Sequence, residues 1–108
     1  MQIAKLEEMV KGWFVGDFSP AVLRTADVEV AVKTYRQADR EDWHYHKVAT
    51  EVTCVVSGEI EMCERRIGPG NIIVLSPGEG TSFLAVTDAV TVVVKHPGAK
   101  NDKFLRGE

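Results

Sequence analysis

His44-Tyr45-His46-Lys47-Val48-Ala49-Thr50-Glu51-Val52-Thr53-Cys54-Val55-Val56-Ser57-Gly58 sets two imidazoles two residues apart, a carboxylate five residues later, and then a valine-rich run that stops at a glycine. Side chains of an extended segment repeat with a period of two, so His44 and His46 fall on one face with their Cα atoms roughly 7 Å apart. Two nitrogen donors can then converge on one ion, with Glu51 as the next donor along the chain. The stretch marks where chemistry would sit and leaves the substrate open.

On either side of it the chain reads as short strands. Residues 27–36 alternate, with Val28, Val30 and Val32 on one face and Glu29, Ala31, Lys33 and Tyr35 on the other, the pattern of a half-buried strand. Gln37 to Asp42 is polar and reads as a loop delivering the chain to the histidines. Glu51 to Val56 is a further strand, Ser57-Gly58 a tight turn, Glu59 to Met62 its hairpin partner, and Glu64-Arg65-Arg66 the next turn. Gly68-Pro69-Gly70-Asn71 carries turn residues, and Ile72 to Leu75 is a continuous apolar run expected to be buried on both sides. Thr81 to Val86 and Ala89 to His96 are the last strand candidates, with His96 expected at the rim or in a structural role.

Towards the N-terminus, apolar residues at 3, 6, 9 and 10 suggest a short helix ending at Gly12, and Trp13 to Pro20 an irregular arm that packs its rings onto the domain. The tail from Ala99 is polar and expected to be frayed or pinned by Phe104 and Leu105. Seven or eight short strands with no repeat and no strand–helix alternation indicate an all-β fold of two antiparallel sheets, a sandwich or barrel. The expected organisation is one domain over 1–108, with an arm (1–26), a barrel (27–98) and a tail (99–108).

Composition narrows the partners. Thirteen basic and sixteen acidic side chains give a net charge of −3 without a cationic stripe, so nucleic acid is not an expected partner. No apolar run reaches the ~18 residues that span a bilayer, so no membrane is expected. The N-terminal residues lack the basic and apolar regions of a secretory signal, so the expected location is the cytoplasm. Cys54 and Cys63 lack a Cys-x-x-Cys spacing and read as two free thiols, small core or surface residues.

The pattern His44-x-His46-x4-Glu51-x6-Gly58 resembles the first motif of the cupin superfamily, and Gly70-Asn71-Ile72-Ile73-Val74-Leu75-Ser76-Pro77-Gly78-x-x-Thr81-x-Phe83 resembles the second. The resemblance covers residues 44–83 and implies a small single-domain cupin, a double-stranded β-helix or jelly-roll barrel. Ala38 stands where the first motif begins with Gly, and Asn71 where Asp is usual. Thr81 falls where the second motif supplies a third metal-binding His. The implied centre is therefore reduced to His44, His46 and Glu51, a donor set suited to zinc, iron, manganese or nickel.

Two functions follow from the resemblance. One is a metal-dependent enzyme of isomerase, epimerase or dioxygenase type acting on a small polar molecule, with Thr81 orienting substrate or water and Tyr35 offering a phenol beside it. The other is a non-catalytic ligand-binding or sensory module with a reduced or empty metal site. Uncovered strand edges and the aromatic arm suggest a homodimer.

Overall fold

The computed structural model describes residues 1–108. Ten strands build two sheets: β1 (Trp13–Val15), β2 (Glu29–Tyr35), β3 (Arg40–Tyr45), β4 (Thr50–Ser57), β5 (Ile60–Met62), β6 (Arg65–Ile67), β7 (Ile72–Leu75), β8 (Gly80–Ala85), β9 (Ala89–His96) and β10 (Phe104–Leu105). One sheet runs β1-β2-β9-β4-β7 and the other β10-β3-β8-β5-β6, with antiparallel pairing throughout. The expected N-terminal helix is a single 3-10 turn, Leu6–Glu8, and no helix is long and apolar enough to cross a membrane. The arm contributes an edge strand to the first sheet, and Phe104–Leu105 pin the tail to β3 in the second. Both cysteines are free thiols.

Three local expectations are corrected. β4 and β5 are not a hairpin: β4 pairs with β7 and β9, β5 with β6 and β8. Ser57-Gly58 is instead a corner that carries the chain from one sheet to the other. Gly58 has φ of +79°, and a Cβ there would stand 2.0 Å from the Asp88 carbonyl oxygen, so only glycine fits. The turn expected at Glu64-Arg65-Arg66 lies one residue earlier: Cys63 and Glu64, both with positive φ, turn the β5–β6 hairpin, and Arg65 already begins β6. β7 is an edge strand buried on one side only, with Ile72 and Val74 exposed.

Between the sheets, the interior changes character along each strand. Val55, Ile60, Met62, Leu75, Phe83, Ala85 and Ala89 form the apolar core. Each fully buried aliphatic there contributes about 1.5–3 kcal/mol. Moving away from it, the inward positions become mostly polar: Val55 gives way to Thr53 and Glu51 on β4, Ala89 to Thr91, Val93 and Lys95 on β9, Phe83 to Thr81 on β8. The barrel is therefore plugged with hydrocarbon at one end and open to polar chemistry at the other.

Candidate metal centre and its cavity

A cavity of about 210 Å³ occupies the polar end, with Met62 and Phe83 from the core in its wall. Tyr35, His44, Glu51 and Thr81 all line it, so four of the five residues singled out in the sequence share one space. The fifth, His46, is buried at 5% exposure just past β3, with its Nε2 4.0 Å from the Glu51 carboxylate. The two imidazoles lie edge to face with ring centroids 5.5 Å apart.

Both histidines are oriented through their Nδ1 atoms. His44 donates Nδ1–H to the Asp42 carbonyl at 2.9 Å and His46 donates to the Asp102 carbonyl at 2.5 Å. Each ring then carries its lone pair on Nε2, the tautomer of a metal-ligating histidine held by a backbone carbonyl. The Nε2 of His46 is buried and has no hydrogen-bond partner. Burial and the positive charge of Lys95 hold the His46 pKa below the usual histidine value, outweighing the Asp102 carbonyl and Glu51, so the ring is kept neutral. A buried acceptor without a donor is costly unless something completes it.

As placed, the side chains do not enclose an ion: no three of the His, Cys, Asp and Glu side chains form a closed cluster. The 4.0 Å between His46 and Glu51 is wider than the ~3.4 Å that two donors at ~2.1 Å subtend on a tetrahedral ion. The donor types, the tautomers and the unpartnered Nε2 fit a divalent metal; the side chains would have to draw closer together to enclose one.

Thr81 is the strand partner of His44, which fixes its position beside the histidines. Its hydroxyl accepts the Cys63 N–H and donates to the Ser82 carbonyl, both at 2.7 Å, so its proton is already engaged. The Tyr35 phenol donates to Glu41 at 2.9 Å, and its ring packs on Phe83 with centroids 4.3 Å apart. Burial, then the negative charge of Glu41, push the phenol well above its ordinary pKa, so it stays protonated. His96 is exposed and bonds the Asp27 carbonyl, away from the cavity.

Two site residues escaped the sequence reading. Glu41 belongs to β3, not to a loop; the β3–β8 register shifts between Glu41 and His44, so three steps on β3 match two on β8. This bulge brings Glu41 and His44 to the same face, which strict alternation would forbid. Asp102, in the polar tail, accepts the backbone N–H groups of Lys47, Val48 and Ala49 through its carboxylate while its carbonyl orients His46. The only trace of it in the sequence is an Asp two residues before the apolar pair Phe104-Leu105.

No protein-family model and no curated protein matches the chain. Solved structures do. KdgF from Halomonas sp. aligns with a TM-score of 0.67 at 20% identity, over 74% of this chain and 79% of that one. A conserved Klebsiella pneumoniae protein with a double-stranded β-helix domain aligns at 0.73 and 22% identity, over 99% and 93%. Oxalate decarboxylase from Bacillus subtilis aligns at 0.63 and 16% identity, over 76% of this chain but 24% of the enzyme. At these identities the likeness speaks to architecture, and it agrees with the two-sheet topology and with the motifs at 44–58 and 70–83: the chain has the double-stranded β-helix fold of the cupin-type proteins.

Proposed function

We propose that the protein is a metal-dependent cupin-type enzyme, of isomerase, epimerase or dioxygenase type, acting on a small polar molecule in the 210 Å³ cavity. The observation that carries this reading is the His46 Nε2, buried without a partner beside Glu51 and fixed in the ligating tautomer by Asp102. His44, His46 and Glu51 would hold zinc, iron, manganese or nickel; the oxalate decarboxylase neighbour is described with Mn(II) centres. With a divalent ion bound, these three ligands would leave positions open for water or substrate, and the chemistry supplied would be polarisation of a substrate oxygen. Around it, Tyr35 keeps its proton and presents the Glu41–phenol pair to the cavity, while Met62 and Phe83 exclude water from the floor. Thr81, with its proton given to Ser82, offers substrate an acceptor oxygen.

A binding or sensory role draws on one observation, the absence of a closed three-donor cluster. A catalyst suffers more than a binder from loose positioning. Tag-free wild type, His46→Ala and Thr81→His separate the questions by metal titration. Wild type should take up about one equivalent, and His46→Ala should bind at least about tenfold more weakly. Thr81→His should bind more tightly, because position 81 pairs with His44. Equal metal content in wild type and His46→Ala would sink the centre. Metal uptake without turnover of a panel of sugars, keto acids and thiols would favour the binder.

A further inference from the structure

The wall of this cavity is much more basic than the chain. Four of the seven lysines, Lys11, Lys33, Lys95 and Lys103, line it against Glu41 and Glu51, a formal +2 in a chain of −3. They arrive from separate places: the turn before β1, β2, β9 and the C-terminal segment. Of the four, only Lys33 has a carboxylate within 4.0 Å, Glu41 at 3.3 Å.

Lys95 is the most informative of them. Its strand partners are Glu29 on one side and Glu51 on the other, yet it forms an ion pair with neither. Its half-buried ammonium lies 4.8 Å from the centroid of Trp13, and that of Lys33 lies 5.8 Å from the same ring. Two like charges gathered around one aromatic ring beside a cavity repel each other; Glu41 offsets only that of Lys33, and an anion beside Lys95 removes the remaining cost. A neutral donor is also waiting: the Thr91 hydroxyl is 0% exposed, lines the cavity beside the Tyr35 phenol and completes no well-formed hydrogen bond.

We propose that the cavity takes a small organic anion, its carboxylate or phosphate held by Lys95 and Thr91 with Lys11 and Lys103 at the rim, and its other end directed at His44 and Glu51. The inference rests on reading this cavity as the ligand site. A volume of 210 Å³ equals the liquid volume of roughly seven waters, which limits the ligand to a small metabolite. Any divalent ion on Glu51 would add to the positive surplus and favour an anion further.

The test is a titration of the full-length, nitrogen-15-labelled protein, metal-free and zinc-loaded, with succinate, its neutral diamide and inorganic phosphate, followed by amide shifts. Succinate or phosphate should move the amides around Lys33, Thr91 and Lys95 and the diamide should not; whichever anion binds more tightly names the group recognised. Lys95→Gln should weaken the response by about tenfold and the exposed Lys103→Gln by about threefold. Equal binding of succinate and diamide, or wild-type affinity in both lysine variants, would overturn the inference and leave the metal centre standing. A protein that binds no zinc yet still titrates with the anions keeps the inference and loses the metal centre.

Discussion

Asp102 acts on the chain with two different atoms. Its backbone carbonyl fixes the His46 tautomer, while its carboxylate gathers three consecutive N–H groups at 2.9–3.1 Å from the turn that separates His46 from Glu51. Burial alone would raise the Asp102 pKa, but those three donors hold it below the usual carboxylate range. One side chain thus satisfies a turn whose amides have no strand partner, and the turn sets the distance between two candidate ligands. Asp102→Ala removes both carboxylate oxygens, keeps the backbone carbonyl, and leaves the buried Ala49 N–H unpaired, which should destabilise the fold by about 2–3 kcal/mol. Asp102→Asn keeps one accepting oxygen and should recover roughly half of that. Urea unfolding of the three proteins measures both values, and an alanine variant as stable as wild type would show that the clamp is dispensable.

Among the elements, β3 ties the two sheets together through its bulge. Glu41 reaches across from β3 to β2, where Lys33 and Tyr35 both bond its carboxylate, at 3.3 and 2.9 Å. Burial works against the charge, but Lys33, the Tyr35 hydrogen bond and His44 together hold the Glu41 carboxyl below its ordinary value. A carboxylate whose pKa is depressed by folding contributes stability that is complete above the unfolded value, about 4.3, and is lost as pH falls through the lower folded value. Wild type should therefore exceed Glu41→Gln by about 1 kcal/mol at pH 7. The gap should narrow as pH falls below the unfolded value; a gap that does not change with pH would mean that shape rather than charge is responsible. The bulge also explains what the sequence could not reveal at this scale. Alternation in residues 27–36 was legible because β2 is regular, but alternation defines two faces without saying which is interior. Here the mixed face, with Lys33 and Tyr35, lines the cavity and the valine face points outward. Glu41 was hidden because a bulge breaks the period on which such a reading depends.

Across the whole molecule the two motifs were enough to specify the barrel, since they mark the strands that bring His44 and Thr81 into register and set Glu51 beside His46. The assembly is a separate matter, and it turns on that outward valine face. In register across four strands run Val30, Val94, Val52 and Val74, and beside them Val32, Val92, Cys54 and Ile72. No charge interrupts these rows, and Ile72 and Val74 at their ends are 63% and 57% exposed. A continuous apolar face of this kind is uncommon on a monomer. Its complement must be equally uncharged, and a second copy of the same face, related by a two-fold axis, satisfies that condition with no further partner. The expected particle is a homodimer joined through the face of this sheet, with Ile72 and Val74 of β7 inside the contact, rather than one joined through strand edges or the aromatic arm. Light scattering should give a mass about twice 11.9 kDa for wild type. Val74→Asp, which places an unpaired carboxylate in the contact without touching the core or the cavity, should return a folded monomer. A wild type of 11.9 kDa would overturn the dimer, and a Val74→Asp variant that stays dimeric would move the contact elsewhere; a monomeric variant that still binds succinate would show that each barrel holds its site alone.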